Sequence, residues 1–279
     1  MNLTDPGKKE IILIRGGGDL ASGVALRLHR SGMRIVITEL AQPLVIRRAV
    51  SFADAIYQGQ MRVEDVPAKR VESVSGVESS WDEGMVPVLV DPECKILESF
   101  RRSSDHVSVL IDGRMTKGPP YLGLDSAPLV IGLGPGFVAS ENCHAVIETN
   151  RGHHLGRVIW EGSPLPNTGV PEGYGEQYRD RVLRAPADGE LLTHAAICDR
   201  LKTGDLIAEV GGQPILAPFD GVLRGLLHHG LQVERGFKVG DVDPRGEPSY
   251  CRLVSDKALS IAGGVLEAIL FSRINRFEL

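Results

Sequence analysis

Ile11-Ile-Leu-Ile-Arg-Gly-Gly-Gly-Asp-Leu-Ala-Ser-Gly23 is the stretch on which the fold turns. Ile11 to Ile14 is a continuous apolar run, the pattern of a parallel strand buried on both faces. Arg15 leads from it into Gly16, Gly17 and Gly18, and the spacing matches G-x-G-x-x-A at Gly16, Gly18 and Ala21. Leu20, Val24 and Leu28 then recur at helical spacing, and Ser31-Gly32 closes the helix. A second run, Ile35-Val-Ile-Thr38, ends on Glu39, which lies 18 residues past Ala21, near the place of a ribose-binding acid. Residues 11–39 therefore read as a Rossmann-type dinucleotide-binding unit. Its first glycine permits the tight turn, the second lets backbone approach a pyrophosphate, and the small Ala21 lets helix pack on strand. The helix start offers unpaired N–H groups and a positive dipole end to phosphates. The expected cofactor-binding set from this unit is Gly16, Gly17, Gly18, Asp19, Ala21, Ser22 and Glu39. Asp19 complements the helix dipole, yet places a carboxylate where it would crowd a pyrophosphate.

The alternation of strand and helix continues outward. Pro43 to Tyr57 and Cys94 to Arg102 read as helices, with residues 58–84 irregular and polar between them and carrying short strand candidates. Val86–Val90, Val107–Ile111, Leu129–Ile131 and Ala145–Ile147 read as strands. This pattern implies a mostly parallel sheet, and in such sheets ligands gather beyond the carboxyl ends of the strands. Glu39, Asp91, Asp112, the loop Gly132–Gly136 and Glu148 are expected at that edge. Gly134 and Gly136 extend the expected binding set, since a glycine loop after a strand can wrap an anion with its N–H groups; a tight Gly-Pro turn is the plainer alternative. His144, Glu148, Arg151 and His153, with His154, form a polar cluster. It reads as a small metal site or an acid/base pair, as an anion clamp led by Arg151, these being the candidate catalytic set, or as a solvated loop. No metal-ligand spacing is present. Asp112 and Lys117 read as a catalytic pair or as a charged loop.

From Gly162 to Pro171 the chain is rich in Gly, Pro, Ser and Asn, which marks a boundary. Beyond it, Ala185-Pro-Ala-Asp-Gly-Glu-Leu191 recurs as Ala217-Pro-Phe-Asp-Gly-Val-Leu223, an offset of 32 residues that also relates Gly204 to Gly236 and Val210 to Val242. Two such halves resemble the barrel-sandwich hybrid of biotinyl and lipoyl carriers, but the hairpin Val210–Pro214 has no lysine to modify. Ser255 then caps a last helix with Ile261, Val265, Leu266, Ile269 and Leu270 on its apolar face. The expected fold is α/β. A Rossmann-type parallel sheet (1–160) is followed by a linker (161–180), a duplicated non-carrier hybrid module (181–250) and a C-terminal helix (251–279).

Composition bounds the function. The 279 residues carry a net charge of −5 and only 5% aromatics, which argues against a nucleic-acid partner. No run of 18 apolar residues and no signal-like start is present, so neither a membrane span nor export is expected. Cys94, Cys143, Cys198 and Cys251 form no CxxC and read as free thiols of a cytoplasmic protein.

Ile14-Arg-Gly-Gly-Gly-Asp-Leu-Ala-Ser-Gly23, Ile131-Gly-Leu-Gly-Pro-Gly-Phe137, Glu148-Thr-Asn-Arg-Gly-His153, Lys238-Val-Gly-Asp-Val-Asp-Pro-Arg245 and Ser255-Asp-Lys257 resemble phrases of the accessory proteins of the selenium-dependent molybdenum hydroxylase system. The front half is similar, at fold level, to the xanthine dehydrogenase accessory factor. The resemblance implies a maturation factor that holds an NAD-type dinucleotide or a molybdopterin nucleotide. Its implied partners are a molybdenum hydroxylase apoenzyme or other maturation factors, with self-association a further possibility. A selenium relay through a thiol would fall to Cys143, which lies near the expected edge. Two other readings stay open: an NAD-dependent oxidoreductase using His144 or His153 for proton transfer, and a non-catalytic scaffold with a vestigial nucleotide fold.

Overall fold

The run Ile11–Ile14 forms the body of β1 (Glu10–Arg15), whose side chains from Ile11 onward are all buried. The structure, a computed structural model, describes residues 10–101, 106–115, 122–166 and 180–274. Lys117 lies outside them, as does most of the expected 161–180 linker.

Eight further strands join β1: β2 (Arg34–Glu39), β3 (Gln60–Val63), β4 (Val66–Val71), β5 (Val86–Val90), β6 (His106–Asp112), β7 (Leu129–Leu133), β8 (Ala145–Ile147) and β9 (Val158–Ile159). Their order is β3-β4-β5-β2-β1-β6-β7-β8-β9. From β4 to β8 every neighbouring pair is parallel, whereas β3 and β9 at the two edges are antiparallel. The expected Rossmann-type parallel sheet is thus corrected to a nine-stranded mixed sheet. Tight returns make the difference. Glu64-Asp65 turns β3 into β4, and the loop after β8 doubles back to pair β9 with it.

Helix α1 (Asp19–Arg30) starts at Gly18 with Asp19 in its first turn and ends on Arg27, His29 and Arg30, charges that suit the helix dipole at each end. The expected helix over 43–57 is corrected to α2 (Ala55–Gln58), preceded by 3-10 turns at Arg48–Val50 and Phe52–Asp54. Residues 44–51 belong to the other unit, where Ile46 packs on the core and lies so close to Gly225 that a side chain there would strike it. Within the stretch expected to be irregular lies α3 (Val74–Asp82), capped by Ser73. Asp91 accepts from the N–H groups of Lys95 and Ile96, each at 2.9 Å, at the start of α4 (Ile96–Arg101). The last helix, α5 (Asp256–Ile274), accepts its cap from Ser255 and packs on α1. It therefore completes the first unit, made of the described residues within Met1–Pro43, Phe52–Asn167 and Ser255–Leu279.

The second unit, Leu44–Ser51 and Thr168–Val254, holds β10 (Val182–Arg184), β11 (Gly189–Thr193), β12 (Arg200–Leu201), β13 (Leu206–Val210), β14 (Gln213–Leu216), β15 (Gly221–Leu226), β16 (Gln232–Val233) and β17 (Lys238–Asp243). They form two four-stranded sheets, β10-β17-β15-β12 and β14-β13-β11-β16, with antiparallel pairing throughout. The 32-residue offset carries β10–β13 onto β14–β17 and so carries one sheet onto the other. Each sheet takes two strands from each copy, because neither copy buries its apolar face alone. No closed barrel forms among the described residues, and the expected barrel-sandwich hybrid is corrected to this pair of open sheets. Leu191, Ile207, Val210, Leu223, Val239 and Val242 fill the core of this unit.

Candidate functional site

The carboxyl ends of the central strands converge in the first unit. Strand register sets Arg15 beside Thr38 and Asp112, Asp112 beside Gly132, and Leu133 beside Ile147. A buried charge system occupies this edge. Arg15, 1% exposed, donates from Nη1 to Asp112 Oδ2 at 3.1 Å and from Nη2 to Pro92 O at 3.1 Å. Asp112 also takes a fork from Arg114, Nε to Oδ1 at 2.9 Å and Nη2 to Oδ2 at 2.7 Å. The paired carboxylate raises the Arg114 pKa, so this guanidinium is a permanent cation. Arg114 packs across Gly16 while staying 27% exposed at its side chain.

The glycine loop is drawn inward. Gly16 N–H donates to Thr38 O at 2.7 Å, and Gly17 N–H donates to Glu39 Oε2 at 2.7 Å. Glu39 Oε1 accepts from Leu40 N–H at 2.7 Å. Burial raises the Glu39 pKa, opposed by its two backbone hydrogen bonds and by the charge of Arg114. Gly17 also takes the chain at Phe52–Ala53 directly over it. Ala53 N–H donates to Gly17 O at 2.9 Å, and a Cβ on Gly17 would stand 2.8 Å from Ala53 N. Ser22 stitches the same contact, donating to Gly17 O and accepting from Phe52 N–H. Ala21 lies against Gly113. Gly17, Ala21 and Ser22 thus close the fold around the loop, while Gly18 and Asp19 stay partly exposed at the open first turn of α1.

Gly134 and Gly136 reach the same edge beyond β7. Gly134 N–H donates to Ile147 O at 3.0 Å, and its φ of +71° with Thr149 pressed against it leaves no space for a side chain. The cluster expected at 144–154 is not brought together. His144 precedes β8 and accepts from Val130 N–H through Nδ1, so it stands at the amino edge of the sheet. There it lines a cavity of about 440 Å³ with Leu97, Arg101, His106 and Asp125. Burial lowers its pKa, partly offset by Asp125. Glu148 is buried beyond the other end of β8 and accepts from Asn150 and Leu165 N–H, each at 2.7 Å. Arg151 forks onto Asp256 of α5 at 2.8 and 2.9 Å, and His153 and His154 are exposed on the same loop. Glu148 and Arg151 therefore hold a loop in shape and anchor it to a helix.

Cys143 also stands at the amino edge, fully buried, with burial pushing its thiol up to about 11. The thiol at the carboxyl edge is Cys94, 3.2 Å from Thr38 Oγ1, with its pKa raised by burial. Sequence reading missed Arg15, Thr38, Cys94 and Arg114 as site residues. The strand ends at Arg15 and Thr38 were legible; the loop paths and rotamers that bring Cys94 and Arg114 to them were not. Among the described residues no group of three or more His, Cys, Asp or Glu could hold a metal ion. No helix among them is long and apolar enough to cross a membrane.

Fold and edge define a two-unit α/β protein with a cation clamped beside a glycine turn at its strand ends. No family model matches the chain. It is 44% identical over 270 residues to the uncharacterized protein YqeB of Escherichia coli (strain K12), an alignment covering 97% of this chain and 49% of that one. The chain thus spans about half the length of the curated relative it matches. Among solved structures it is similar to an aspartoacylase family protein from Mesorhizobium loti, at 12% identity, 84% and 85% coverage of the two chains and a TM-score of 0.26. The ectoine utilization protein EutE (DoeB) from Ruegeria pomeroyi gives 10%, 84% and 87%, and 0.24. Both likenesses are too distant to bear on fold or function.

Proposed function

We propose that this chain is a holding factor for a nucleotide-bearing ligand, serving the maturation of a molybdenum hydroxylase as the sequence resemblance implies. One observation carries the ligand-holding part: Arg114, fixed by Asp112 and still partly exposed, packs across Gly16 beside the glycine loop that leads into the open first turn of α1. A rigid guanidinium together with backbone N–H groups at a helix start is a phosphate-recognising combination. The residues fit such a ligand only in part. Gly16 and Gly17 N–H are already used, so the phosphate contact falls to the turn at Gly18–Leu20 and to Arg114. Each Glu39 oxygen already accepts one backbone N–H and keeps a second lone pair for a ribose hydroxyl.

Calorimetric titration with ADP and with NAD, alongside native mass spectrometry of the purified chain, tests this reading. Arg114→Ala is expected to weaken binding roughly tenfold to a hundredfold, the loss of a hydrogen bond to a charged group. Absence of any co-purifying small molecule, together with no heat from either nucleotide at millimolar concentration, would reject it. The link to the hydroxylase is tested separately, by hydroxylase activity in cells lacking the chain and in cells carrying Arg114→Ala.

A further inference from the structure

Two cysteines of the second unit meet at one backbone oxygen, one through its backbone N–H and the other through its thiol. Cys198 donates its N–H to Leu223 O at 2.9 Å, and Cys251 Sγ lies 3.7 Å from the same atom. The shared carbonyl sets the two residues side by side in the fold. Cys198 stands in the turn between β11 and β12, and Cys251 ends the 3-10 turn Pro248–Cys251 that follows β17. Nothing in the ligand-holding reading uses either of them.

The internal repeat shows that this placement is a departure from its own pattern. Cys198 has φ +85°, a backbone conformation that favours glycine. The position 32 residues on is Gly230, with φ +84°. The conformation is therefore a property of the repeat. One copy meets it with the residue that suits it, the other with a cysteine that does not. What the strained residue brings is a second thiol against Cys251. The charges of Arg47 and Arg224, from the same unit, act on Cys251 and favour its thiolate form. Cys198 is partly exposed and Cys251 is buried. Cys198 is therefore the sulfur that meets a reagent first.

We propose that Cys198 and Cys251 are a reversible dithiol–disulfide site that takes low-molecular-weight disulfides as its oxidant. The Cys198 thiol loses its proton and attacks one sulfur of the disulfide; that S–S bond breaks and one thiolate leaves. The Cys251 thiol then loses its proton and attacks the Cys198 sulfur, expelling the second thiolate. The two released protons go to the two thiolates. Two protein thiols are oxidised and one disulfide is reduced to two thiols.

The test is peptide mapping, without reduction, of the full chain after incubation with oxidised glutathione. The expected result is a Cys198–Cys251 linked peptide pair, lighter than the two free peptides by two hydrogens and reversed by dithiothreitol. In Cys251→Ser, Cys198 is expected to accumulate as the glutathione mixed disulfide, with circular dichroism confirming the fold. If the variant fails to fold, the wild-type map alone decides. The proposal is overturned if wild-type Cys198 stops at the mixed disulfide, links instead to Cys94 or Cys143, or stays reduced under conditions that oxidise a reference dithiol peptide.

Discussion

Glu39 holds the place that a phosphate oxygen would take on the Gly17 N–H. Burial raises its pKa in the folded chain above the unfolded value. The folded state therefore binds this proton more tightly. The resulting stability is complete below the ordinary glutamate range and is lost as pH rises through the raised value. Denaturant melts of the wild type and Glu39→Gln across that window should show the difference between them growing in favour of the variant as pH rises. A pH-independent difference would contradict the assignment. At this scale the acid that ends β2 was legible in the sequence, but its partner was not, because rotamer and loop path decide which donor it meets. His144 and Glu148 show the opposite error. They are neighbours along the chain, yet β8 lies between them, and a strand rises about 3.3 Å per residue, so they face opposite edges of the sheet.

Helix α5 carries a pair of glycines with opposite expectations. A Cβ on Gly264 would collide with Gly156 O, whereas Gly263 has nothing within 4 Å of that position. Gly264→Ala should push the helix from the loop at Gly156 and cost about 1–3 kcal/mol. Gly263→Ala should gain about 0.5–1 kcal/mol from helix propensity and reduced unfolded-state freedom. Midpoints of urea unfolding for the two variants distinguish these outcomes. The apolar periodicity of α5 was readable, and Ile261, Val265 and Ile269 are buried as it implied. Leu270 is 45% exposed, because the packed face runs through Ala262 and Ala268 instead. The hairpin of β3 and β4 was legible only as short strand candidates within 58–84, and its pairing was not. β3 at the sheet edge is only four residues long, and in β4 the adjacent Lys69 and Arg70 interrupt the alternation.

At the scale of the molecule, α5 returns to α1 after the whole of the second unit has been built. Sequence periodicity gave α1 one apolar stripe, but it is buried from Ala21 to Leu26 and at Leu28, Ser22 and Gly23 included. A helix enclosed on nearly all sides needs cover on two faces, and α5 supplies part of it, with Arg273 pairing to Glu10 at 2.8 Å. A chain ending at Val254 should therefore lose near-ultraviolet circular dichroism and elute as aggregates on size exclusion. A monomer with native spectra would show that the first unit folds without its last helix.

The amino-acid sequence by itself determined the strands that line the sheet, the helix that opens at Gly18, the 32-residue repeat and the cap at Ser255. All of these depend on local periodicity and on single-residue preferences. Tertiary structure alone decided the mixed sheet, the exchange of strands between the two repeats and the return of α5 to α1. It also decided the occupation of the Gly17 N–H by Glu39. These rest on contacts between residues far apart in the chain, which local pattern does not encode. The loop Gly16–Gly18 was legible as a glycine turn before a helix. That Arg114 and Phe52–Ala53 pack over it, leaving only its last turn open, follows from how the sheet brings three distant segments to one edge.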